Sequence, residues 1–197
     1  MKTENFIRFS GFSLMLGGCL ATLGWILFAI SDPVYIDSDG IQWIVFNFLI
    51  IFGGVFIAQG LPGFYLSQSH RTGTLGLIAL VILFIGIAIP YIAVHSIETA
   101  TSPDIPPIMR LLVSVGAPGI IIGVLFTGII TYTAGIYPRR WVAAALITLV
   151  LLGLIRQMYS IPPTLERGIF PAVFAGIVAI TGFYMLFKLK INHTTAQ

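Results

Sequence analysis

Charge is what this chain has least of: 9% of its 197 residues are Asp, Glu, Lys or Arg, against about 25% in a soluble domain. So few charged groups cannot cover a water-facing surface, which excludes a soluble fold. Cysteine occurs once, as Cys19, so no internal disulfide can staple the chain. Ionisable groups are missing from the middle of every long apolar run. Proton-coupled pumping is thereby disfavoured, because ion and proton pathways through a bilayer retain such groups despite their cost.

The signatures of common enzyme classes are missing as well. There is no P-loop, no Gly-x-Ser-x-Gly elbow and no dinucleotide fingerprint. Of the three histidines, His70 and His95 fall at opposite ends of one run and His193 lies in the tail, so no pair can converge as haem ligands. No catalytic, cofactor-binding or metal-ligating set is therefore assigned. The lipoprotein-like Leu16-Gly-Gly-Cys19 is followed by apolar residues through Ile30, as a membrane anchor requires.

What is present is hydrophobicity: 57% apolar residues and a mean hydropathy of +1.01. Six runs stand out, at about residues 9–31, 41–63, 73–95, 111–136, 141–159 and 168–187. Each is near or above the roughly 20 residues that a helix needs to cross a hydrocarbon core of about 30 Å. Continuous runs lack the in/out alternation of barrel strands, and backbone satisfaction in lipid then demands helices. The expected fold is all-α, a six-span transmembrane bundle forming a single membrane domain over residues 1–197.

The loops set an orientation. One side carries Lys2, Arg8, Arg71, Arg139, Arg140, Lys188 and Lys190; the other carries Arg110, Arg156 and Arg167 with most of the acids. The positive-inside rule places both termini in the cytoplasm. Tyr65, Tyr137 and Tyr184 close the even-numbered spans at the inner interface, where a phenol ring is half buried and its hydroxyl wet. In this reading Gly60, Pro62 and Gly63 loosen the end of the second span, and Ser67–Thr72 form a cytoplasmic turn. The basic balance suits anionic lipid rather than nucleic acid.

Small residues mark helix seams. Gly17, Ala21 and Gly24 share one face of the first span, and Gly119 and Gly123 form a GxxxG in the fourth. Such residues let backbones approach closely where no hydrophobic force separates helices from lipid. They serve packing within the chain or a homo-oligomer. Pro118, inside the fourth span, predicts a kink. Ile105-Pro-Pro107 and Ile161-Pro-Pro163 precede the fourth and sixth spans, and hint at a duplicated hairpin.

The stretch GLPGFYLSQSHRTGTLGLIALVILFIG, from residue 60 onward, resembles small multi-span bacterial membrane proteins of no assigned function. Their corresponding stretch also reads Gly-Leu-Pro-Gly-aromatic-Tyr, a short basic turn and Gly-x-Leu-Gly. The resemblance covers mainly residues 50–90; it implies a bacterial cytoplasmic membrane and no chemistry.

Three classes of function remain. The leading one is a noncatalytic helix bundle that assembles with, stabilises or regulates another membrane component, with membrane lipids and a protein partner or second copy as its contacts. The second is a channel or carrier for a neutral or lipid-like solute, lined by Asn47, Gln59, Thr127 and Thr131. The third is an outer-leaflet enzyme using His95, Glu98 and Asp104 at the outer rim.

Overall fold

The computed structural model describes residues 3–30, 40–97, 107–137, 140–159 and 163–187, with side chains for 3–30, 40–86, 119–137, 140–152 and 168–187. All regular structure among them is helical: α1 (Thr3–Ile30), α2 (Ile41–Ile97), α3 (Pro107–Ala134), α4 (Trp141–Tyr159) and α5 (Pro163–Phe187). Pro107 and Pro163 open α3 and α5, where a fixed φ favours the first helical turn and the missing N–H costs no hydrogen bond. By length and composition, three segments of these residues suit a membrane crossing: Thr3–Ile30, Ile41–Gly86 and Gly168–Phe187; Gly119–Ala134 and Trp141–Leu152 are shorter apolar helices.

Five helices replace the six expected runs because α2 holds the second and third together. Its backbone leaves helical geometry at Gly73, with φ 53° and ψ −141°. That region of backbone space is essentially open to glycine alone. A straight helix would separate Leu61 from Leu83 by about 33 Å, yet both line one small cavity. The chain therefore doubles back at Gly73, and residues 41–72 and 74–97 form two antiparallel arms.

This corrects the expected turn at Ser67–Thr72, which is helical, as are Gly60, Pro62 and Gly63. The polar side chains there do not break the helix because they bond to it. Ser67 Oγ donates to the Phe64 carbonyl at 2.7 Å, Ser69 Oγ to Leu66 at 3.1 Å and Thr72 Oγ1 to Gln68 at 3.1 Å. Hydroxyls bonded back to a carbonyl three or four residues earlier are compatible with a continuing helix.

Helix α1 lies between α5 and the first arm of α2. A methyl at Gly17 would sit 2.7 Å from the Gly53 carbonyl oxygen, and one at Gly53 would sit 2.9 Å from the Ala21 Cβ. Gly24 meets Ile50 on the same seam, so the predicted stripe of small residues faces α2. On the other side Gly11 packs against Gly182 and Met185, and a Cβ at Gly18 would fall 2.5 Å from the Ala179 nitrogen. The second arm of α2 carries α3 through Gly86 against Gly119 and Leu83 against Gly123. The GxxxG thus packs within the chain, and α3 passes through Pro118 as one helix. Helix α4 leans on α3 through Gly128, Leu146 and Ile147.

Apolar side chains point outward as well as inward. Phe9, Leu23, Phe48, Val55, Leu75, Phe84, Phe126, Leu151, Val173 and Phe183 are all exposed, so every helix presents large hydrophobic groups to its surroundings. A bundle that is apolar on both faces is compatible with a membrane protein.

Candidate functional site

The bend at Gly73 gathers four elements at one end of the bundle. Ser10 of α1 lies against Gly63, and the Phe64 ring stacks on Tyr137 at 6.0 Å, just past the end of α3. Tyr137 in turn meets Tyr184 of α5 at 5.4 Å. Tyr65 Oη donates to the Gly73 carbonyl at 3.3 Å; the expected interfacial anchor thus also ties the bend. Asn47 lies at the opposite end, about 39 Å along a straight helix from Gly73.

Most of the buried polar side chains belong to the Gly73 end: Ser10, Ser67, Gln68, Thr127, Thr131 and Thr181. Thr181 Oγ1 donates to the Ile177 carbonyl at 2.7 Å. Ser10 Oγ, Gln68 Oε1, Thr127 Oγ1 and Thr131 Oγ1 are buried without a hydrogen bond. An unmade bond at a buried polar atom costs about 1–3 kcal/mol, so four of them at one end form a concentrated polar demand. Gln68 and Thr127 border a cavity of about 10 Å³, close to the least space that one water requires. Thr127 and Thr181 also border a central cavity of about 30 Å³ walled mainly by Leu14, Leu61, Leu83 and Leu146. Tyr137 lies outside the helices, and burial raises its hydroxyl above the usual phenol range, with Ser67 opposing the rise.

Two arginines border the cluster. Arg71 Nη1 donates to the Ala134 carbonyl at 2.7 Å, capping the end of α3. The Arg140 guanidinium lies over the Tyr132 ring, 4.4 Å from its centroid. Both approach Gly135: a methyl there would be 3.8 Å from Arg71 Nη1 and 4.0 Å from Arg140 Nε. Gly73, Gly135 and Arg140 are the positive-φ residues of the described chain, at 53°, 61° and 54°. All three belong to the bend and the α3–α4 connection. For arginine this conformation is uncommon, and strain of this kind persists where the surroundings fix it.

The residues proposed for a solute path are placed apart. Thr127 and Thr131 share the buried face of α3. Asn47 is buried at the far end, where its Nδ2 donates to the Trp43 carbonyl at 2.9 Å, and Gln59 is exposed. The outer-rim residues Glu98 and Asp104, and the side chain of His95, lie outside the described residues. Among the described residues no group of three or more His, Cys, Asp or Glu side chains is placed to hold a metal ion. Gln68 was missed as a buried group. Its signal is periodicity, since Leu61, Phe64 and Gln68 recur at the three- and four-residue steps of one helix face. Comparison with protein families, with curated proteins and with solved structures yields no match for this chain.

Proposed function

We propose that this protein is a six-span, noncatalytic helix bundle of a bacterial cytoplasmic membrane, with both termini inside, that assembles with or regulates another membrane component. The observation that supports the packed-bundle reading is how tightly the interior is filled among the described residues. Glycine seams bring α1 into backbone contact on two sides, and the central cavity of about 30 Å³ is too small for a metabolite, since ligand pockets run to about 300–1,000 Å³. The two arms of α2 support counting that helix as two crossings, and the arginines of the Gly73 end suit an inner surface.

Two measurements test this. In a variant lacking Cys19, a cysteine at Ser69 is labelled from inside only and one at Ser102 from outside only; labelling of Ser69 by an impermeant reagent on intact cells overturns the threading. Mass spectrometry of the protein extracted in native lipid nanodiscs returns a stoichiometric membrane-protein partner. A homogeneous protein carrying one enriched small solute would instead favour the carrier reading.

A further inference from the structure

We propose that Arg71 and Arg140, converging on Gly135, bind the phosphate of an anionic phospholipid whose acyl chain lies along the exposed face of α3. The inference rests on the membrane-bundle reading above and gives one of its lipid contacts a defined place.

Each guanidinium is held but not consumed. The 2.7 Å bond to the Ala134 carbonyl uses one N–H of Arg71, leaving four of its five donors free. Arg140 rests its face on Tyr132 at 4.4 Å, which leaves the N–H groups around its edge available. Among the described residues neither pairs with a carboxylate; the ion pair in this part of the chain is Arg8 with Glu4 at 2.8 Å. Two cations fixed beside the same backbone position repel one another, and an anion lodged between them turns that repulsion into attraction. Phosphate oxygens match the fork of a guanidinium, and donors already held in position lose little entropy on binding.

The surface beside the pair favours a lipid over phosphate from solution. Ile122, Phe126, Ile129 and Tyr132 are each about half exposed and recur at helical spacing, so they form one apolar stripe that ends at the ring carrying Arg140. From Ile122 to Tyr132 the stripe is about 15 Å long, half of a hydrocarbon core of about 30 Å. That is the depth of one leaflet. A headgroup at the arginines would therefore lay its chain along α3 without leaving its own monolayer.

The test uses the full chain in mild detergent, supplied with phosphatidylglycerol or phosphatidylcholine, with native mass spectrometry to count retained lipids. Arg140→Asn is the informative variant, because asparagine tolerates positive φ and the charge is removed without added strain. Arg71→Gln is its companion, with circular dichroism and melting recorded for both. Wild type should retain phosphatidylglycerol in preference to phosphatidylcholine, and each variant should bind it about fivefold more weakly, the effect of one charge near an anionic surface. Rising salt should weaken the wild-type preference.

Equal retention by wild type and a folded Arg140→Asn protein overturns the site. Displacement of the lipid by millimolar inorganic phosphate, with phosphate binding in its place, overturns the lipid assignment in favour of a free anion. A wild-type chain that does not stay helical and monodisperse in detergent or nanodiscs removes the bundle reading and the site with it.

Discussion

At the Asn47 end, Trp25 and Phe28 of α1 meet Trp43 and Phe46 of α2 in a chain of ring contacts spaced 5.0–5.9 Å. At the Gly73 end the same two helices meet through Ser10 and Gly63, amid buried hydroxyls, an amide and two arginines. The first contact is held by dispersion and quadrupole geometry, with the Asn47 Oδ1 as the buried polar atom there that lacks a hydrogen bond. The second leaves four polar atoms without partners and has three residues at positive φ. Apolar closure suffices for stability, so the polar and strained end is where function is to be sought.

Substitutions at the two ends should answer differently. Gly73→Ala should have the largest effect, about 3 kcal/mol of destabilisation. No atom lies within 4 Å of the new methyl, so the loss would come from backbone strain alone; an unchanged denaturation midpoint in detergent would mean that the bend does not depend on glycine. At the other end Phe46→Ala should cost about 2 kcal/mol. This is less than the same change in a soluble core, because lipid is as apolar as the interior and the packing loss is what remains. A larger loss than at Gly73 would reverse the comparison. Thr131→Val should stabilise slightly, by about 1 kcal/mol, and so raise the midpoint, since it removes a buried hydroxyl that has no partner. A fall would show that this hydroxyl holds an ordered water or ligand.

The apolar runs were legible in the sequence from their length and composition, and the small-residue stripe from the period of 3.6 residues. The site was not. Serines, a histidine and an arginine between two apolar runs read as a loop, yet the hydroxyls of Ser67, Ser69 and Thr72 bond to their own helix, and the bend waits for the one residue that can adopt its backbone angles. Pairing Asn47 with Gln59 failed for a reason available in advance. Twelve residues at about 100° each leave them about 120° apart around the helix, so burying the first turns the second outward. Thr127 and Thr131, four residues apart, do share a face. The approach of Arg71 and Arg140 has no sequence signal, because it joins residues across the Gly73 fold.

The fold of α2 also has a mechanical meaning. Its arms are joined by one residue and no loop, so neither arm can slide along the other by a helical step without breaking the Gly73 geometry. The first arm carries α1 and, through it, α5; the second carries α3 and α4, and α4 meets α5 only lightly. The described helices thus fall into two groups that the chain joins at Gly73 and again between α4 and α5, with the Phe64–Tyr137 and Tyr137–Tyr184 ring contacts bridging them. Beside the bend, the Arg71 bond to the Ala134 carbonyl is one more tie between the two groups, so the Gly73 turn is clasped from outside by a side chain of the arm that enters it.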